Sequence, residues 1–279
     1  MNVLEIRNLS KSYKEFELDN INLTLPMGCI MGLVGENGAG KSTTIKLILN
    51  AIKRDSGTIT VFEKDNRDEF HLSKEEIGVV LDEVGIGECL TPAQVGKVMK
   101  NIYRNWDTTV YENYIQKFRL PRDKKFSEFS KGMKMKLGIA IALSHHAKLL
   151  ILDEATSGLD PVVRDEVIEI FSEFTRAENH AVLISSHIVS DLEKICDYIA
   201  FMHRGKLMLC EEKDLLKEQY GIIRCTEDVL SQIPSEAVIG RKTTPYGVEA
   251  IVHREEIPTG IEISAVDLEQ LFIFMVKGA

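Results

Sequence analysis

The sequence predicts an α/β fold built on a largely parallel sheet. Two patterns carry this reading: short apolar runs rich in Val and Ile, and helical patterns alternating with them. A third observation, a glycine-rich stretch between one such run and the next helix, fixes where the sheet does its chemistry. The runs read as buried strands are Cys29 to Val34, Ile77 to Leu81, Leu149 to Leu152, Ala181 to Ser185 and Tyr198 to Met202. Ahead of and around the first of them, Val3 to Leu9 and Phe16 to Leu25 alternate apolar with polar residues. That alternation predicts a half-exposed antiparallel pair.

Between Thr91 and Phe129 the texture changes to a helical rhythm that includes the chain's single Trp, Trp106, among other aromatics. With the helical run that follows, this predicts a helical insertion over about residues 91–145. Beyond Cys210 the strand signals weaken. Gly221 to Thr226, Ala237 to Lys242 and Gly247 to Val252 read as short strands, and Val266 to Val276 as a closing helix. The expected division is a main unit over residues 1–210 and a small C-terminal α+β extension over 211–279.

Composition narrows the function. The 279 residues are 44% hydrophobic and 28% charged, which excludes a disordered or fibrous chain. Asp plus Glu (43) outnumber Lys plus Arg (34), a net charge of −9, so no nucleic-acid partner is expected. Apolar runs such as Ile139 to Leu143 fall far short of the ~20 residues a membrane-spanning helix needs. The first residues carry charges at Glu5, Arg7 and Lys11 with no apolar core, so no secretory leader is expected. Five scattered cysteines without a C-x-x-C pair read as buried, reduced thiols in a cytoplasmic protein.

Gly35, Glu36, Asn37, Gly38, Ala39, Gly40, Lys41, Ser42 and Thr43 follow the strand ending at Val34 and precede a helical run. They match G-x-x-x-x-G-K-[ST] in the strand–loop–helix setting that the pattern requires. Glycines let backbone N–H groups converge on phosphate oxygens, and the helix N-terminus adds the positive end of its dipole. Lys41 supplies charge near the β and γ phosphates, and the Ser42 hydroxyl is expected to ligate Mg²⁺. The fold expectation therefore sharpens to a P-loop NTPase core, with a nucleoside triphosphate and Mg²⁺ as ligands.

Leu149 to Leu152 is followed by Asp153 and Glu154. Ligands of open α/β sheets sit at the carboxyl ends of strands, so both acids are expected at the phosphates. Asp153 is read as a Mg²⁺ ligand, and Glu154 as the group that orients or deprotonates the attacking water. Taken alone the pair could be two solvated acids; the Gly35 loop changes that. Ser186-His187 ends another apolar strand, bringing His187 to the same edge as a candidate γ-phosphate contact.

The whole set resembles the ATP-binding-cassette family, specifically the stand-alone ATPase subunits of bacterial exporter-type transporters. The resemblance rests on motifs in order from Tyr13 to His187 and covers roughly residues 1–210. Ser130, Lys131, Gly132 and Met133 resemble its signature loop, and Ser157, Gly158, Leu159 and Asp160 its dimer-contacting loop. His187 resembles its switch histidine, and Tyr13 stands where the family places an aromatic under the adenine ring. The resemblance implies two cassettes, in a homodimer or a heterodimer, that sandwich ATP between one chain's phosphate loop and the other's signature. It also implies a separately encoded membrane permease, with the ATPase held at the inner face of the cell membrane.

Two positions depart from the family pattern. Lys131 stands where the signature usually has a second glycine. Asp82 stands where the strand Ile77 to Leu81 usually leads into a glutamine that ligates Mg²⁺ and links the site to the permease. Two alternatives share the nucleotide motifs: a soluble cassette acting on ribosomes or DNA, and a nucleotide-sensing regulatory subunit. Among side features, His145-His146 reads as a solvent-exposed helix end, and Trp106 as core of the helical insertion.

Overall fold

The computed structural model describes residues 1–69, 73–82 and 85–278. Strands β1 (Asn2–Ser12) and β2 (Glu17–Pro26) form an antiparallel pair. Strand β3 (Ile30–Gly35) then runs into the glycine-rich loop and helix α1 (Lys41–Ile48). The chain returns through β4 (Ser56–Val61) and β5 (Lys64–Asp65) to complete an antiparallel sheet ordered β2-β1-β4-β5.

Strand β6 (Ile77–Val80) is followed by three helices, α2 (Pro92–Ile102), α3 (Thr108–Lys117) and α4 (Lys131–Leu143). Each starts on a side chain that accepts from a first-turn N–H: Thr91, Asp107 and Ser130. Thr91 and Gln94 form a full capping box, and Pro92 occupies the first turn, where its missing N–H costs nothing. The chain then alternates β7 (Leu149–Asp153), α5 (Pro161–Phe174), β8 (Ala181–Ser186), α6 (Val189–Ile195), β9 (Tyr198–His203) and β10 (Lys206–Glu212). These strands and β3 form one sheet, ordered β10-β9-β3-β8-β7-β6, parallel except for β10 at its edge.

All five residues of β7 and all six of β8 are buried, because the sheet is covered on both faces. On one face Leu33, Ile151 and Leu183 pack against Ile6, Leu23 and Ile59 of the antiparallel sheet and Ile45 of α1. On the other, Val34, Leu152 and Ile184 meet Leu137 and Ala140 of α4 and Val167 and Phe171 of α5. Truncating one such residue to Ala costs about 2–5 kcal/mol.

After β10 come α7 (Lys213–Gln219), β11 (Tyr220–Cys225), α8 (Glu227–Leu230), β12 (Val238–Thr244), β13 (Gly247–His253) and α9 (Leu268–Gly278). Their antiparallel sheet, ordered β11-β13-β12, has its own small core of Ile223, Val248, Ala250 and Val252. Tyr220, Ile222 and Ile251 join the main core, and the Phe272 ring of α9 lies 5.2 Å from Phe201 of β9. Strand β10 runs through the boundary drawn at residue 210 and ends at Glu212.

Two expectations are corrected. His145 is buried, its ring stacked 4.0 Å from Tyr103, and only His146 is exposed. His146 adopts φ 58°, which turns the chain after α4 and drives His145 inward. The thiols are not uniformly buried either: Cys196 is, Cys89 is exposed, and the other three are half-buried, all of them free. Trp106 packs partly buried among the helices, 5.1 Å from the Tyr111 ring.

Candidate functional site

Strand β3 lies between β8 and β9 in the middle of the parallel sheet, so its loop opens at the carboxyl ends of the central strands. The residue before α1 is Gly40, at φ 110° and with no capping side chain. A Cβ there would sit 2.9 Å from Leu18 Cδ1, so both conformation and space require glycine. The first N–H groups of α1 are thus left to a ligand, and no acid stands in its first turn to compete.

The loop walls a cleft of about 430 Å³, lined by Phe16, residues 36–43, Asp82, Asp153 and Glu154. Lys41 is 5% exposed; its Nζ donates to Gly35 O at 2.6 Å and lies 3.3 Å from Glu154 Oε1. A cation so placed is held among oxygens that a phosphate can replace.

Asp153 ends β7 and pairs in register with Ser185 of β8. The Ser185 hydroxyl donates to Asp153 Oδ1 at 2.6 Å and accepts the Glu154 N–H at 3.0 Å. One side chain therefore orients both acids. Glu154 adopts φ 53°, an uncommon conformation for a residue with a side chain and one that concentrates at functional sites. Its carboxylate sits between Lys41 and His187, whose Nδ1 is 2.7 Å from Oε2. A carboxylate only accepts, so that Nδ1 carries the proton.

The other motif residues lie around this cleft without entering it. Ser130 caps α4, accepting from the Met133 N–H at 3.3 Å, and a Cβ on Gly132 would touch Val163 of α5. Asp160 caps α5 through the Val163 N–H, Leu159 is buried, and Ser157 N bonds Glu154 O at 3.0 Å. Lys131 reaches across Gly158 to Asp82, with Nζ 2.8 Å from Oδ1. Tyr13 is 48% exposed and not part of the cleft lining, whereas Phe16, 6.4 Å from it ring to ring, is. Sequence reasoning missed Ser185 and Phe16. A hydroxyl inside an apolar strand, facing the register partner of an acid, was the available signal for Ser185.

Among the described residues no three His, Cys, Asp or Glu groups gather as a metal site of their own. Ser42, Asp153 and Asp82 offer hard oxygen donors on one cleft. That set suits Mg²⁺, which is usually held by one or two carboxylates with water and substrate phosphates completing its shell.

A phosphate loop after β3 flanked by paired acids at the end of β7, two strands over in the same sheet, defines a nucleoside-triphosphate hydrolase of the P-loop class. The sequence pattern of the ABC transporter family matches residues 18–157. The chain is 39% identical over 215 residues to the lantibiotic transport ATP-binding protein SrtF of Streptococcus pyogenes, covering 76% of this chain and 92% of that one. It is 30% identical to the linearmycin resistance ATP-binding protein LnrL of Bacillus subtilis, over 99% of this chain and 90% of LnrL. Among solved structures, an ATP binding subunit of an ABC transporter superposes with a TM-score of 0.71 at 27% identity, covering 78% of this chain and 92% of that one. The chain belongs to the ABC transporter family and is an ATP-binding, ATP-hydrolysing subunit. The comparisons lend no support to the ribosome, DNA or sensor alternatives.

Proposed function

We propose that two copies of this chain form a head-to-tail dimer that drives a separately encoded membrane permease in export. One observation carries the dimer. Among the described residues, none lining the phosphate cleft comes from the Ser130 loop; Lys131 reaches the Asp82 edge of the cleft, but Ser130 and Gly132 do not cover the chain's own cradle. A second chain supplies that cover. The names of SrtF and LnrL, lantibiotic transport and linearmycin resistance, favour export. No helix among the described residues is long and apolar enough to cross a membrane, so membrane attachment falls to the permease, at the inner face.

Within each composite site, the amides of Gly35 to Thr43 and the Lys41 ammonium hold the phosphates, and Tyr13 supports the adenine. Ser42, Asp153 and Asp82 would hold Mg²⁺, which when bound would supply positive charge against the phosphates. Glu154 aligns and deprotonates the attacking water, and His187 holds the Glu154 carboxylate in place. From the partner, Ser130, Lys131, Gly132 and Met133 cover the γ-phosphate, while Ser157 to Asp160 join the dimer contact. Residues 1–210 form the ATPase unit, and 211–279 an extension packed upon it.

Glu154→Gln tests this reading. It should retain ATP binding, lose hydrolysis by about 10²–10⁴-fold, and accumulate as a dimer with ATP but not ADP on sedimentation. Unchanged turnover would remove Glu154 from its role.

A further inference from the structure

Resting on that two-chain reading, we propose that the Lys131–Asp82 ion pair couples the two nucleotide sites of the dimer. The two departures from the family pattern, 49 residues apart in sequence, meet in this one contact of 2.8 Å. Asp82 lines the chain's own cleft beside Asp153 and Glu154. Lys131 belongs to the loop that serves the partner's ATP. The pair therefore has one member in each site.

The path of Lys131 supports the arrangement. Its stem lies over Gly158, where a Cβ would come 3.4–3.7 Å from Cδ, Nζ and Cε. Gly158 is left-handed, at φ 69°, and offers no side chain to divert the stem. The ammonium is thus delivered across the dimer-contacting loop to Asp82.

Magnitudes decide which partner wins Lys131. The two side chains are 45% and 52% exposed, and pairs this exposed shift an equilibrium by about two- to fivefold at most. A charge-assisted bond to a phosphate, away from water between two chains, is worth about tenfold or more. The γ-phosphate held by the partner therefore takes Lys131 from Asp82. Asp82 is then free to turn to the Mg²⁺ of its own cleft. In reverse, an Asp82 already engaged there leaves Lys131 free for the partner. Each binding event favours the other, which is positive coupling between sites.

The test uses full-length chains carrying Glu154→Gln, with the dimer measured by sedimentation across an Mg–ATP titration. Lys131→Gln should raise the ATP concentration for half-maximal dimerisation about tenfold. Asp82→Asn keeps a neutral carbonyl for the metal but releases Lys131, and should lower that concentration about two- to fivefold. Lys131→Arg should stay near the unsubstituted value. Lys131→Gln and Asp82→Asn should each flatten the titration. Far-ultraviolet circular dichroism of Lys131→Gln that matches the unsubstituted chain should report an intact fold. A merely structural ion pair would make Lys131→Gln and Asp82→Asn shift the midpoint the same way. Any pattern other than opposite shifts overturns the coupling. Glu154→Gln chains that remain monomeric at saturating Mg–ATP overturn the two-chain reading instead, and the coupling with it.

Discussion

Ser185 and Asp153 face each other in register on the neighbouring strands β8 and β7, joined by a hydroxyl-to-carboxylate hydrogen bond of 2.6 Å. The same hydroxyl receives the Glu154 N–H, so a residue with no direct reach to the phosphates sets the aim of both acids. Ser185→Ala should therefore lower ATPase activity about 10–100-fold, the usual effect of losing a group that orients a metal ligand. It should also raise the Mg²⁺ concentration for half-maximal rate, and Ser185→Thr should restore both. An unchanged Mg²⁺ midpoint in Ser185→Ala would leave the bond without a role in orienting Asp153.

Tyr13 and Phe16 divide one loop between them: the former exposed, the latter in the cleft wall beside Gly40. Loss of a base-stacking aromatic costs roughly 1–3 kcal/mol, so Tyr13→Ala should weaken ATP binding about five- to hundredfold. Inorganic triphosphate, which lacks a base, should bind Tyr13→Ala as it binds the unsubstituted chain. Equal weakening for ATP and triphosphate would mean that Tyr13 only shapes the loop.

Burial holds the His145 pKa below its ordinary 6.5. Its Nδ1 donates to Glu75 O at 3.0 Å, and its buried Nε2 has no partner to accept a proton's bond. The unfolded chain therefore binds the proton more readily. The stability this histidine contributes is complete above pH 6.5 and is lost as pH falls below that value. The urea midpoint should drop between pH 7 and pH 5.5 more steeply for the native chain than for His145→Phe, which keeps a ring against Tyr103 but does not titrate. Parallel pH curves would assign the acid sensitivity to other groups.

The parts of the fold that were legible are those where one physical demand shapes consecutive residues. Strands β7 and β8 are covered on both faces, so their sequences are unbroken apolar runs. Strand β10, at the sheet edge with five half-buried residues in a row, shows neither a clean run nor a clean alternation. Strand β4 opens on Ser56-Gly57, which reads as a turn, although Ile59 and Val61 then alternate with Thr58 and Thr60. The site divides the same way. Phosphates need contiguous amides, so Gly35 to Thr43 is written in one stretch. The hydroxyl of Ser185, the reach of Lys131 to Asp82 and the burial of His145 depend on residues brought together by register and by a left-handed turn. No local pattern records them.

If each ATP site is built from two chains, two chains with different defects should restore one site between them. One chain carries Lys41→Ala, which disables the cradle; the other, with a different tag, carries Ser130→Arg, which disables the signature. Both also carry Glu154→Gln to stop turnover. Paired with itself, neither variant forms a complete site; paired with each other, they form one. The expected result is ATP-dependent capture of one tagged chain by the other, and no ATP-dependent self-association of either alone. If the mixture fails to associate with ATP under conditions where chains bearing only Glu154→Gln dimerise, the composite site is contradicted.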